Sequence, residues 1–334
     1  MASFLSRSPE SLVAVALTCK AAFQESFPAA RSRLDHQSRE ALLLLLEMNL
    51  ARDLFFCHAC TKLHGFKPLL ISPGPSGQTV REPQCGHRLV KFRPENLCIG
   101  FHHVRLARNA RLFGLGNGLL LSQLEAVLKS GTGSTSHPAG WRVSSLAKIV
   151  QGELFLRVAH ELYQHDKRHR IRMALKKGFQ HYICHHMTTH QYLAHPAERG
   201  AELPTKLTLI TQDSCFLGDP VYAELLHNEP GSCEICLTDY ITTVKLRTPD
   251  TRASDEEILH VTIVSYHQIG DGHSPLDWKW QTFSTPPSCL RPHDIRRIHQ
   301  RDSCVWPGIV RRLWAMDELG PTISLSPDNQ KWID

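Results

Sequence analysis

Cys57 and Cys60 are separated by two residues in the segment FFCHACTKLH, which covers residues 55–64. A gap of two residues allows both sulfur atoms to face one metal ion. Zinc prefers four soft or borderline ligands in a tetrahedron, and pairs of this spacing are typical of structural zinc sites. We therefore predict that this pair holds a structural zinc ion.

The remaining ligands of this first site must come from nearby cysteines and histidines. The candidates are His64, Cys85, His87 and Cys98. Cys85 and His87 form a returning pair after a segment rich in proline and glycine, and we expect them to complete the site. His64 lies just beyond the Cys57 turn and could also reach it, so the spacing leaves this choice open. The alternative is that these cysteines are reduced side chains on a packing face.

A second pair of the same spacing, Cys233 and Cys236, lies just before the segment with the strongest strand pattern. A pair in this position commonly introduces a small sheet as a zinc knuckle. Its expected partners belong to an earlier segment, namely Cys184 with His185 or His186, of which we select His186. Cys215 lies between the two segments and is a competing ligand. We expect this zinc to be structural as well.

The segment HELYQH at residues 160–165 is similar to a zinc-protease helix, but its two histidines are five residues apart. In the working motif the histidines are four apart, so that both face one ion on a helix. We therefore predict no catalytic metal here. Because no nucleophile and base pattern occurs elsewhere, we expect a protein that is not an enzyme.

The densest basic run lies between His165 and Lys177. Its cations are Lys167, Arg168, Arg170, Arg172, Lys176 and Lys177. A phosphate-binding surface is one interpretation of such a run, and a solvated face is the more common one. A zinc-stabilised nucleic-acid-binding protein is therefore the alternative function, although we expect no nucleic-acid partner.

The composition indicates a folded chain without export or membrane signals. The 334 residues carry a formal charge of +6 and 11 cysteines, an odd number that argues against a disulfide framework. The longest apolar run, 41–46, is too short to cross a bilayer. We expect a cytoplasmic or nuclear location and no membrane partner.

Helix signals dominate the first part of the sequence. Ser8, Pro9 and Glu10 form a helix start, which predicts a helix from about Pro9 to Gln24. Asp35 is the expected cap of a second helix over about 36–52. Prolines near the starts of 292–301 and 307–318 predict two more helices near the C-terminus.

Strand signals dominate the middle of the sequence. The segments 143–150 and 153–162 predict a hairpin around Gln151 and Gly152, although a helix also fits the second segment. Segments 240–247 and 258–266 are rich in Thr, Val and Ile and predict a further hairpin.

A resemblance to a known family is carried by ASFL at 2–5 and PESLVAVALTCKAAF at 9–23. These segments resemble the second half of an F-box, without the usual Leu-Pro pair and first helix. The later segments RDLFFCHACTKLH, CLTDY and YHQIGDGHSPLDWKW resemble F-box-like proteins of filamentous fungi. The resemblance implies an adaptor of a ubiquitin ligase. Its partners would be the Skp-type adaptor of a cullin-RING ligase and an unknown protein substrate.

These observations together predict an α+β fold. A short helical N-terminal segment would precede a mixed body with antiparallel hairpins and zinc knuckles. The expected divisions are 1–52 for the F-box-like helices, 53–130 for the zinc-knuckle and loop region, and 141–334 for the α+β body. The expected function is substrate recognition by a non-enzymatic adaptor.

Overall fold

The structure is a computed structural model in which α-helices and antiparallel β-hairpins both occur, so the predicted α+β class is confirmed. The described residues are 34–50, 54–65, 89–92, 97–114, 117–130, 140–163, 182–188, 229–233, 235–247, 258–286, 289 and 307–319. None of the helices within these ranges is long and apolar enough to cross a membrane.

The described part of the chain contains five α-helices. They are α1 (His36–Leu50), α2 (Phe101–Phe113), α3 (Leu121–Ser130), α4 (Trp278–Ser284) and α5 (Ile309–Leu319). The first and last of these agree with the helices predicted over 36–52 and 307–318. The helices predicted over Pro9–Gln24 and 292–301 lie outside the described residues, as does the F-box-like segment.

The same part of the chain contains eleven strands. They are β1 (Leu54–Cys57), β2 (Lys62–Gly65), β3 (Leu89–Phe92), β4 (Leu97–Gly100), β5 (Gly140–Val150), β6 (Glu153–Tyr163), β7 (Tyr182–Cys184), β8 (Met187–Thr188), β9 (Glu229–Ser232), β10 (Thr238–Arg247) and β11 (Ile258–Gly270). Three two-stranded sheets pair β1 with β2, β3 with β4, and β7 with β8. The other five strands form one larger sheet.

The contacts divide the chain into two compact units. The first falls within 1–89, 99–124 and 271–275, and the second within 90–98, 125–270 and 276–334. These units interleave along the chain instead of following one another. The division into 1–52, 53–130 and 141–334 made from the sequence stays a prediction.

The second unit is built on an antiparallel sheet in the order β5-β6-β11-β10-β9. The hairpin of β5 and β6 is confirmed, with Val150 opposite Glu153 across the turn. Gln151 and Gly152 both have positive φ angles, 51° and 87°, as the tight turns that suit the twist of a hairpin require. The hairpin of β10 and β11 is also confirmed, and its register runs from Thr238 opposite His267 to Arg247 opposite Ile258.

Strand β9 closes one edge of this sheet and carries a proline, which is acceptable where one side of the strand has no partner. Gly231 lies opposite Tyr240 of β10. A Cβ atom at position 231 would lie 2.2 Å from the ring of Tyr240, so only glycine leaves room for that buried ring.

Helix α5 packs on the sheet of the second unit through apolar side chains. The buried cluster comprises Val150, Phe155, Leu237, Val310 and Trp314. Asp239 of β10 caps this helix, because its carboxylate accepts hydrogen bonds from the backbone N–H groups of Gly308 and Arg311 at 3.0 and 2.9 Å. A carboxylate in this position satisfies otherwise unpaired N–H groups and the positive end of the helix dipole.

The first unit places hairpin β1–β2 against helices α1 and α2. Helix α1 begins as predicted, since the Asp35 carboxylate accepts a hydrogen bond of 2.7 Å from the N–H of Ser38. Helix α2 is buried over most of its length, including Arg105 and Asn109. A buried guanidinium requires a partner of opposite charge.

Glu47 of α1 is that partner. Arg105 Nε donates to the Glu47 carboxylate at 2.8 and 3.1 Å, and the two side chains are each only 2% exposed. The N–H of Phe56 and the amide of Asn109 also donate to Glu47, at 3.0 and 2.8 Å. The carboxylate therefore joins α1, β1 and α2.

Burial alone would raise the pKa of Glu47. The hydrogen bonds and charge of Arg105 more than offset burial, so the pKa lies below its ordinary value of 4.5. Glu47 therefore stabilises the fold at pH values above 4.5, and this contribution is lost as the pH falls through the lower folded pKa.

Replacing Glu47 tests the importance of this pair. Glu47→Gln should lower the free energy of unfolding by about 3–5 kcal/mol, because Arg105 would then be buried without its counter-charge. Glu40→Gln on the same helix is the matched control, since Glu40 is partly exposed and lies 3.5 Å from His58. Glu40→Gln should lower the free energy of unfolding by less than about 1 kcal/mol. Chemical denaturation measures the free energy of unfolding of both variants. Equal decreases in the two variants would contradict the importance of the Glu47–Arg105 pair.

Candidate metal centres

Cys184, His186, Cys233 and Cys236 converge in the second unit. One ligand atom from each residue lies within 4.8 Å of the ligand atoms of all the others. Sγ of Cys184 and Nδ1 of His186 are 3.9 Å apart. The structure thus brings together the four residues that the sequence selected for the second site.

A tight turn positions Cys233 and Cys236. The N–H of Cys233 donates to the carbonyl of Thr238 at 2.8 Å, and the N–H of Thr238 donates back to the carbonyl of Cys236 at 2.7 Å. The N–H of Ile235 donates to the sulfur of Cys233 at 3.4 Å. The turn therefore folds around the first sulfur and presents the second beside it, as a zinc knuckle does.

The short hairpin of β7 and β8 positions the other two residues. Cys184 ends β7 and is fully buried, and His186 lies in the turn that follows. Nε2 of His186 lies 2.9 Å from the carbonyl oxygen of Thr285, just after α4. A carbonyl only accepts hydrogen bonds, so Nε2 carries the proton and Nδ1 keeps the lone pair that faces the cysteines. This contact distinguishes His186 from His185.

Burial and mutual contact shift the three thiols in different directions. Burial raises the pKa of Cys184 and of Cys236 well above the ordinary value of 9.0. Hydrogen bonds from Cys184 and Cys236 lower the pKa of Cys233 well below the same value. A thiol with a lowered pKa beside two buried thiols with raised pKa values is a cluster that a cation would stabilise, because a cation would allow all three sulfurs to lose their protons.

The donor set fits zinc. Zinc–sulfur bonds of about 2.3 Å and zinc–nitrogen bonds of about 2.0 Å place tetrahedral ligands roughly 3.5–3.8 Å apart. The four ligand atoms lie within 4.8 Å of one another, so a small contraction would complete the tetrahedron. Three cysteines and one histidine form a common ligand set of structural zinc sites.

The first unit contains the other group, formed by Cys57, Cys60 and His64, which corresponds to the first site predicted from the sequence. Cys57 ends β1, Cys60 lies in the hairpin turn, and His64 lies on β2. The distance between Sγ of Cys60 and Nε2 of His64 is 2.9 Å. The hairpin itself therefore brings together three side chains that could hold one metal ion.

His64 is the residue that the spacing left as an alternative, and the structure places it beside Cys60. The expected closing residues Cys85 and His87 lie outside the described residues, as does the competitor Cys215. Cys98 is on β4, and its side chain also lies outside the described part. The choice of Cys85 and His87 stays a prediction.

The other chemical candidates lie apart from these groups or outside the described part. His160 is a buried residue of strand β6, where a helical protease motif cannot form. His165 and the basic run up to Lys177 are outside the described residues.

Comparison with family models, with curated proteins and with solved structures finds no match for this chain. The interpretation of the two groups therefore rests on their residues and geometry.

The residues that hold these candidate ligands in place could not be found from the sequence. Thr285 contacts His186, Thr238 contacts Cys236, and His267 contacts Thr238. None of these three residues lies at a recognisable sequence spacing from a candidate ligand. Thr238 precedes the strand segment 240–247 that the sequence predicts, and only the fold reveals its contact with Cys236.

The affinity of the second site for zinc should depend on pH. Because burial keeps the thiols of Cys184 and Cys236 protonated near neutral pH, binding must release about two protons per ion. The logarithm of the affinity should therefore rise by about two for each pH unit between pH 6 and 8.

Competition with a chromophoric chelator measures this slope in a Cys60→Ser variant, which removes a ligand of the other group. The chelator alone, titrated over the same pH range, supplies the correction. A flat profile would show that the cysteines are already ionised before zinc binds.

Proposed function

We propose that this chain is a non-enzymatic protein whose fold is stabilised by zinc. The observation that supports this most directly is the convergence of Cys184, His186, Cys233 and Cys236, with Cys184 and Cys236 almost completely buried. Four protein ligands fill a tetrahedral ion, whereas a catalytic zinc keeps a position open for water or substrate. Among the described residues, the group consists of three thiols and one imidazole, without a carboxylate that could serve as a base.

The zinc would join parts of the second unit that are distant in sequence. Cys184 and His186 belong to the small hairpin β7–β8, and the knuckle leads into β10 of the large sheet. The ion would hold these two segments together across the long stretch of chain that separates them in sequence. Because the ligands come together only in the folded state, zinc binding would add directly to folding stability.

Zinc removal from the second site should destabilise the protein. Cys236→Ser should lower bound zinc by about one equivalent and lower the melting temperature, because the buried site then loses a ligand. Cys289→Ser is the matched control, since Cys289 is exposed and does not belong to either ligand group. Elemental analysis and thermal melting measure both effects. Unchanged zinc content in Cys236→Ser would contradict the proposed site.

For the first unit, the proposal is a second structural zinc held by Cys57, Cys60 and His64. The predicted pair Cys85 and His87 would offer the fourth ligand. Its support is the close approach of Cys60 and His64 within a hairpin whose end also contacts the buried Glu47 through Phe56. A zinc there would hold the turn between β1 and β2 closed.

The biological role we propose is substrate recognition by an adaptor of the F-box type. Its support is the similarity of residues 2–5 and 9–23 to the second half of an F-box. The zinc-stabilised body would carry the surface that binds a protein substrate, and the N-terminal segment would contact a Skp-type adaptor.

Co-purification tests this role. The full chain should retain a Skp-type adaptor, and a chain that begins at Leu34 should lose it while keeping its zinc. The shortened chain still contains Asp35, which caps helix α1, so its body is expected to fold. Equal recovery of the adaptor with both chains, or none with the full chain, would contradict the role.

A further inference from the structure

A line of buried polar groups begins at the sulfur of Cys236 and crosses from β10 to β11. Sγ of Cys236 lies 3.1 Å from the hydroxyl oxygen of Thr238. That oxygen lies 2.9 Å from Nδ1 of His267, and Nε2 of His267 lies 2.9 Å from the hydroxyl of Ser265. None of the four side chains is more than 3% exposed. Water therefore does not compete for these contacts.

The strand register explains why these groups meet. Thr238 is directly opposite His267 in the pairing of β10 and β11, and Ser265 lies two residues before His267 on the same face of its strand. The first residue of β10 thus lies between the knuckle and the centre of the sheet. The ring of His267 is further held by an edge contact with Phe283, at 5.6 Å between ring centroids.

A metal-bound cysteine fixes the direction of every hydrogen bond in this line. A thiolate only accepts, so the hydroxyl of Thr238 must donate its single proton to Cys236. Thr238 can then only accept from His267, which requires a proton on Nδ1. Burial lowers the pKa of His267 to about 3, so the ring is neutral and its Nε2 accepts from Ser265. Ser265 also lies 3.4 Å from the carbonyl of Val158, a longer contact than the one to His267.

We propose that Thr238 is a positioning residue of the second metal centre, held by the Nδ1–H tautomer of His267 so that its hydroxyl donates to the sulfur of Cys236. This inference rests on the proposed zinc site. Partners of this kind orient ligands and tune metal affinity even though they do not touch the ion. A hydrogen bond to a thiolate also withdraws charge from the sulfur and lowers the energy of its lone pair.

Thr242 provides a matched control on the same strand. It is a buried threonine of β10 four residues after Thr238, and within the described residues its hydroxyl has no hydrogen-bond partner. Thr238→Val and Thr242→Val therefore make the same chemical change at two sites of similar burial. Only the first removes a contact to a metal ligand.

Metal affinity and cobalt spectra measure the role of Thr238. Thr238→Val should weaken zinc binding by about ten- to a hundredfold in chelator competition, while Thr242→Val should leave it unchanged. In the cobalt-loaded protein, the sulfur-to-metal charge-transfer band should move to longer wavelength in Thr238→Val only. Thr238→Ser, which keeps the hydroxyl, should restore both values. A band and affinity that are identical in Thr238→Val and wild type would overturn the proposal.

The tautomer of His267 gives an independent readout that does not depend on a destabilising variant. Nitrogen-15 spectra of the zinc-loaded wild-type protein should show a proton on Nδ1 of His267, assigned by loss of the signal in His267→Gln. A zinc-loaded protein with the proton on Nε2 would overturn the role of Thr238 and leave the zinc site standing. A wild-type protein that binds no zinc would overturn both proposals.

Discussion

The second unit depends on the crowding of three cysteine sulfurs in a buried place. Two thiolates a few ångströms apart repel each other, and burial removes the water that would screen them. Burial raises the pKa values of Cys184 and Cys236, and hydrogen bonds from these two thiols lower the pKa of Cys233. A divalent cation at the centre would turn this repulsion into attraction. The hairpin of β7 and β8 and the turn before β10 bring these three sulfurs together.

The first unit also buries charged groups, and there two side chains neutralise each other. Glu47 and Arg105 are about as buried as Cys184 and Cys236, and their charges compensate each other directly. Additional donors from Phe56 and Asn109 complete the coordination of the carboxylate. A buried ion pair of this kind contributes less to net stability than to a single defined arrangement, since breaking it leaves one charge without compensation. It fixes β1, and with it the end of the strand that carries Cys57.

Local patterns predicted much of this structure. The cap at Asp35, the turn at Gln151 and Gly152, and the strands rich in Thr, Val and Ile all depend on residues close together in sequence, where propensity and pattern carry the signal. The spacing of Cys233 and Cys236 is another such local signal. The choice of His186 over His185 does not, because it depends on the carbonyl of Thr285, 99 residues away in sequence.

The group of Cys57, Cys60 and His64 also could not be predicted completely from local sequence. His64 is only four residues from Cys60, yet its participation depends on the register that places it opposite Phe55 and on a ring contact with that residue, at 5.7 Å between centroids. Spacing alone did not decide whether His64 or the pair Cys85 and His87 completes the site. A spacing of four residues would place His64 beside Cys60 on a helix as well as in this hairpin. The spacing therefore does not decide the local structure, and a segment of ten residues contains too little pattern to decide it.

The first residues of β10 connect the metal centre to the rest of the second unit. Successive side chains of a strand point to opposite faces, so Thr238 faces Cys236 and His267 while Asp239 faces helix α5. Asp239 also accepts a hydrogen bond of 2.5 Å from Ser232 of β9, which ties the edge strand to the same point. A shift of the knuckle along β10 would therefore disturb the cap of α5 and the pairing of β9 together. A metal that fixes the knuckle would thus stabilise the helix and the sheet edge through two adjacent residues.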